Sequence, residues 1–243
     1  MNQVPHIVYE DNHYIAINKP AGYAVQPEEN DNDTIIPWLQ SYIGKRDKKP
    51  GLAFIGVIHR LDKPVTGVLL LAKTSKGQER ANELWKSKKI RKIYFAVVPK
   101  SSIPSSGTLT HYFSRKDDEF KMSVSNTRRS QADQEAILQY QVVSIIDHYM
   151  LLAIELITGR RHQIRAQLNA IGCPIIGDKR YGSKESVEGD FIYLHCGYLA
   201  FDHPVKHEAI KLKATPDFTK QFWRMFKSQI LEWKFGRKDE ARL

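Results

Sequence analysis

Pro64 restricts this chain more than any other residue, because of what stands on either side of it. An apolar run leads in (Phe54-Ile55-Gly56-Val57-Ile58) and another leads out (Val68-Leu69-Leu70-Leu71-Ala72). Between them lies the polar knot His59-Arg60-Leu61-Asp62-Lys63-Pro64-Val65-Thr66-Gly67. Both apolar runs read as strands. Proline has no N–H for a ladder bond, so the knot cannot continue a central strand. Asp62 is therefore expected on a turn or an irregular edge, carried between two buried elements. Rigid supports of that kind hold the reactive side chains of enzymes. An aspartate beside Lys-Pro is equally a residue that caps a turn, and the local sequence leaves both readings open.

The flanking sequence supplies strands and helices in mixed order. Residues 7–9 and 14–18 alternate about Glu10-Asp11-Asn12-His13 as a hairpin, followed by a turn at Lys19-Pro20-Ala21-Gly22 in which Gly22 can take positive φ. Asp33 or Thr34 is expected to cap a short helix reaching Ile43, and a basic loop follows over residues 44–51. Thr74 or Ser75 should cap a helix to about residue 88, and residues 93–98 read as a buried strand. Further strands are expected at 107–113, 134–145 and 148–156, the last two joined by an Ile146-Asp147 turn. Residues 114–133 are polar and resist placement. A helix is expected from Arg160 to Ile171, closed by Gly172, with Arg161 and Arg165 four apart on one side. Short strands at 192–195 and 199–201 precede an amphipathic helix over 216–233. Hairpin-length connections dominate, which predicts an α+β fold: a mixed, largely antiparallel central sheet with flanking helices. With 243 residues, 42% of them hydrophobic, the chain can bury its core as one domain over residues 1–243 or as two lobes about a central cleft.

Composition narrows the function classes. The net charge is +10, and the basic residues cluster at 45–49, 86–92, 160–165 and 234–242. Such clusters suit a polyanion, either nucleic acid or an acidic membrane surface. Helix-end lysines account for one or two of the five basic residues in the 86–92 group, not for all five. Residues 1–5 carry no signal pattern, no apolar stretch is long enough to span a bilayer, and Cys173 and Cys196 form no CxxC pair. A cytoplasmic location and no membrane partner are the expectation. No GxxxxGK[ST], GxGxxG or GxSxG motif occurs, and the histidines show no compact metal-ligand spacing. What remains is carboxylate, arginine and aromatic chemistry, with no cofactor, no nucleotide and no metal expected.

The knot His59 to Gly67, read as HRLDKPVTG, resembles the catalytic motif of the RluA-type pseudouridine synthases. Other blocks resemble that family in the same order: Asn18-Lys19-Pro20-Ala21-Gly22, Lys92-Ile93-Tyr94, Thr158-Gly159-Arg160-Arg161-His162-Gln163-Ile164-Arg165, Pro174-Ile175-Ile176-Gly177-Asp178, Tyr181-Gly182, and finally Leu194-His195 and His203-Pro204. The resemblance covers about residues 6 to 205. It implies the pseudouridine synthase fold and an isomerase acting on a uridine of structured tRNA or rRNA. By the same resemblance, Asp62 is the essential carboxylate, Arg60 enters the RNA where the target base leaves, Tyr94 lies beside the uracil and Arg165 partners Asp62. The target base must leave its stack, at a cost of a few kcal/mol, and stacking on an aromatic recovers about 1–3 kcal/mol. An arginine beside the carboxylate favours its charged form and can fork onto both oxygens.

His59, Lys19, Arg161 and Leu168 join Arg60 as candidate substrate contacts, with His59 read more readily as a core histidine fixing the Asp62 turn. Lys45, Arg46, Lys88, Lys89 and Arg91 are candidates for the RNA backbone, giving position rather than sequence reading. Whether Asp62 acts as nucleophile or base stays open. Val65 and Thr66 stand where the family pattern has Thr-Ser, so Val65 cannot make a hydroxyl bond, and the local turn geometry is in question. A catalytic domain without an added N-terminal RNA-binding domain, and a monomer, are expected. Two rival classes fit the same residues: an RNA-binding protein without catalysis, and a metal-dependent RNA hydrolase using Asp62, His59 and His162.

Overall fold

The computed structural model describes residues 5–27, 33–48, 50–87, 89–115 and 121–234. Lys49, Lys88 and the basic run beyond Lys234 lie outside the described residues. The chain forms two compact units, one built from residues 1–91, 196–216 and 234–243, the other from residues 92–195 and 217–233.

The first unit begins with the expected hairpin, β1 (His6–Glu10) against β2 (Tyr14–Lys19). Asp11 Oδ1 sets its turn by accepting the backbone N–H groups of His13 at 2.8 Å and Tyr14 at 2.7 Å, the role that suits aspartate in turns. β2 then pairs antiparallel with β4 (Thr66–Ala72), Tyr14 opposite Ala72 and Lys19 opposite Gly67. Strand order runs β1-β2-β4-β10, with β10 spanning Leu194–Asp202. The strand expected at 54–58 shrinks to β3 (Gly56–Val57) on β4. Gln78 of the following helix binds beside it, its Nε2 donating to the Val57 carbonyl at 3.1 Å. The two late strands merge into β10, and β11 (Ala209–Lys213), absent from the sequence reading, pairs with it.

Two helices complete this unit. α1 covers Ile36–Arg46, and its N-cap is Ile35 rather than Asp33 or Thr34. Those residues pair with Ala24: the Ala24 N–H donates to the Asp33 carbonyl, and the Ile35 N–H donates to the Ala24 carbonyl, both at 3.0 Å. Pro37 in the first turn supplies a preset φ in place of a side-chain cap. The helix runs on to Arg46, so the basic loop starts later than expected. α2 (Ser75–Lys86) is capped as expected by Thr74, whose Oγ1 accepts the Gly77 N–H at 3.0 Å.

The second unit is an antiparallel meander in the order β5-β9-β8-β6-β7: β5 (Ile90–Pro99), β6 (Ser106–Arg115), β7 (Met122–Ser125), β8 (Gln134–Ile146) and β9 (Tyr149–Leu156). β5 starts three residues earlier than expected, and β7 occupies part of the stretch that resisted placement. The β8–β9 turn falls one residue later than expected, at Asp147-His148, with Asp147 at φ 52°. α3 is shorter than expected, Gln163–Ala170, because His162 takes φ 54° as its N-cap. The single helix expected over 216–233 is two, α4 (Gln221–Met225) and α5 (Lys227–Glu232), broken at Phe226. Phe222, Trp223, Phe226 and Ile230 are all buried, and adjacent residues such as Phe222 and Trp223 do not share one helical stripe. The outcome is the expected α+β class, a largely antiparallel sheet with flanking helices.

Candidate active site

The Asp62 turn is braced from its own sequence outward. His59 precedes it: Nε2 accepts the Leu70 N–H of β4 at 3.0 Å, and the ring stacks on Trp85 of α2 at 4.6 Å. His59 is buried and pins the turn to β4. The Val65 N–H donates to the Asp62 carbonyl at 3.0 Å, closing a turn around Lys63-Pro64. Leu61 and Val65 are buried on either side, while Asp62 is half-buried. Val65 therefore needs no hydroxyl: its backbone makes the turn and its side chain packs. Gly67 ends the turn at φ +118°, where a Cβ would come within 2.3 Å of the Cys196 carbonyl oxygen. Only glycine fits there.

Lys19 closes the floor of this turn. Its side chain has no solvent exposure, and Nζ donates to the carbonyls of Pro20 at 2.8 Å, Tyr23 at 2.9 Å and Lys63 at 3.3 Å. Three N–H bonds thus find three acceptors. Burial pulls its pKa down to about 7, against the opposing pull of the Asp62 charge. The Gly22 N–H adds a bond to the Lys63 carbonyl at 3.0 Å, with Gly22 at φ +87° as expected. Lys19 is an internal tie between the residue 20–23 turn and the Asp62 turn. Arg60 points to solvent, with Nη1 3.5 Å from Gln26 Oε1.

In the second unit the run from Thr158 to Arg165 is stitched to the sheet by its own side chains. Thr158 Oγ1 accepts the Ile137 N–H of β8 at 2.8 Å. Gln163 Oε1 accepts from Thr158 Oγ1 and from the Arg160 N–H, both at 2.9 Å, while its Nε2 donates to the Ile137 carbonyl at 3.0 Å. Gln167 Nε2 donates to the Leu109 and Ala136 carbonyls, both at 3.1 Å. These bonds hold α3 against β6 and β8 and so fix where Arg165 projects. Arg165 is buried; Nε and Nη2 fork onto Asp178 at 2.7 and 2.9 Å, and its guanidinium lies 5.1 Å over the Tyr181 ring. Tyr94 sits on β5 opposite Ile154, almost wholly buried.

Other candidates divide. Arg161 is exposed but precedes α3, so the expected four-residue alignment with Arg165 on one helix does not hold. Leu168 is completely buried and packs in the core. Lys45 and Lys89 are exposed, and Arg91 is half-buried on β5. Arg46 is already paired with Glu10 and with Asp47, the latter at 2.7 Å. Among the described residues no group of three His, Cys, Asp or Glu could hold a metal ion, and no helix is long and apolar enough to cross a membrane. Asp178 and Tyr181 had no assigned role in the sequence. Their signal there was their place in two of the blocks that resemble the family, Pro174 to Asp178 and Tyr181-Gly182; they flank a single 3-10 turn, Lys179–Tyr181, with Gly177 and Gly182 both at positive φ.

The geometry is thus a half-buried carboxylate on a braced turn, in a largely antiparallel sheet fold. The model of the RNA pseudouridylate synthase family matches residues 13–170. The chain is 31% identical to the ribosomal large subunit pseudouridine synthase C of Rickettsia prowazekii (strain Madrid E), over 88% of this chain and 68% of that one. It is 30% identical to the tRNA pseudouridine synthase C of Yersinia pestis, over 92% of this chain and 90% of that one. The structure of human RNA pseudouridylate synthase domain containing 4 shares the fold, with a TM-score of 0.74, 24% identity and 93% of each chain covered. This chain belongs to the RNA pseudouridylate synthase family and is an RNA-binding isomerase.

Proposed function

We propose that the chain isomerises a uridine of structured tRNA or rRNA, with Asp62 as the essential carboxylate. Tyr94 is the aromatic beside the extruded uracil, Arg165 the guanidinium that partners Asp62, and Arg60 the residue that enters the RNA where the base leaves. The reaction breaks the bond from ribose C1′ to uracil N1, rotates the base and joins C1′ to C5. The C5 proton is lost and N1 gains one, so atoms and electrons balance without any redox partner. An ionised carboxylate serves either as nucleophile or as base in that sequence.

The observation that carries this reading is the Asp62 turn itself. Lys19 and Gly22 hold the Lys63 carbonyl, His59 is tied to β4 through the Leu70 N–H, and Gly67 packs against the Cys196 backbone, while the Asp62 side chain stays half-buried. A reactive group fixed on a rigid frame is set for an extruded base. Support for the RNA class comes from the relatives, one named for the ribosomal large subunit and one for tRNA. Asp62→Asn is expected to abolish turnover on total RNA from cells lacking the gene, while RNA affinity stays within a few-fold. A wild-type rate in that variant would refute the role. Pseudouridine maps of total RNA with and without the gene should differ at the target uridine, and identical maps would refute the activity on cellular RNA.

A further inference from the structure

We infer that Asp178 is a positioning residue for the reaction: with Tyr181 beneath, it sets the one orientation in which Arg165 presents its guanidinium. This rests on the assignment of Arg165 to the site.

An arginine side chain has many rotamers to lose, and a guanidinium that must meet a reacting carboxylate has to be held. Asp178 holds its edge, Oδ2 on Nε at 2.7 Å and Oδ1 on Nη2 at 2.9 Å. Tyr181 covers its face at 5.1 Å. Nη1 is not part of that fork.

Each brace is itself braced. Asp178 follows Gly177 at φ +85°; its carbonyl accepts the N–H groups of Tyr181 and Ser183, both at 3.0 Å, and its own N–H donates to the Ile175 carbonyl at 2.9 Å. The Tyr181 oxygen accepts the Met122 N–H of β7 at 3.1 Å and lies 3.0 Å from His162 Nδ1, at the N-cap of the helix that carries Arg165. Arg165 and Asp178 are both nearly sealed from solvent. A buried ion pair adds little net stability over a well-packed apolar pair of the same volume. Stability alone is thus a weak account of the pair, whereas a fork of fixed geometry supplies orientation.

The test is a double-mutant cycle of Asp178→Asn and Arg165→Met, with kcat, KM and thermal melting read on total RNA from cells lacking the gene. Asp178→Asn should lower kcat by about 10²-fold, the scale of a misplacement near 1 Å, with KM unchanged. Added to Arg165→Met it should cost nothing further. A lower melting temperature with wild-type kcat per folded molecule would show a structural role only and overturn the inference. So would two kcat losses that multiply in the double variant. A silent Asp178→Asn beside a crippled Arg165→Met overturns the inference and leaves the Arg165 assignment standing; wild-type kcat in Arg165→Met removes both. Should Asp178→Asn not fold, Asp178→Glu keeps the charge but moves it by one methylene. It should fold with reduced kcat, and wild-type kcat there would overturn the inference.

Discussion

Lys19 shows how a single residue changes meaning once its surroundings are known. In the sequence it is a candidate substrate contact; in the fold its ammonium is sealed among three carbonyls. Burial lowers its pKa from 10.5 to about 7. Between those two values the unfolded chain binds the extra proton and the folded chain does not, so this group makes stability rise with pH across that window. The penalty of burying the charge is present in full below pH 7. In urea unfolding at pH 7 and pH 10, the wild type should therefore gain stability relative to Lys19→Met as pH rises. Parallel pH dependences in the two proteins would show that Lys19 keeps its charge in the folded state.

At the level of elements, the Asp62 turn is fixed by what its neighbours cannot tolerate. Gly67 sits at φ +118° with the Cys196 backbone against the place where a Cβ would stand. Gly67→Ala should destabilise by at least about 1–3 kcal/mol from backbone strain, read from the midpoint of urea unfolding. An unchanged midpoint would mean that β4 and β10 can part without penalty. The turn itself was legible in sequence, because Pro64 has no N–H for the ladder of a central strand. The shortness of β3 was not: beside it Gln78, from another element, binds the Val57 carbonyl. α3 likewise begins at Gln163 because Thr158 and Gln163 are bonded to β8, a partner that helical periodicity does not register.

For the whole molecule, the +10 charge and the RNA partner are linked through counterion release. Neutralising Lys45, Lys89 and Arg91 together should flatten the plot of log affinity against log salt by roughly 0.7–0.9 for each phosphate contact removed. Fluorescence anisotropy with a labelled structured RNA measures it, and an unchanged slope would show that these cations do not contact phosphate. Arg46 is a poorer choice, because Glu10 and Asp47 already balance its charge.

The amino-acid order by itself determined the strand-rich α+β class, the turn at Asp62 and the family to which the chain belongs. Those depend on local chemistry: proline without an N–H, glycine at positive φ, apolar runs of strand length. Which polar side chains would be buried was decided only by tertiary structure. Lys19, His59, Arg165 and Asp178 are all withdrawn from solvent, each by acceptors, donors or rings brought from elsewhere in the fold. A charged side chain is stable in the interior only where such partners converge, and convergence is a property of three dimensions, not of sequence spacing.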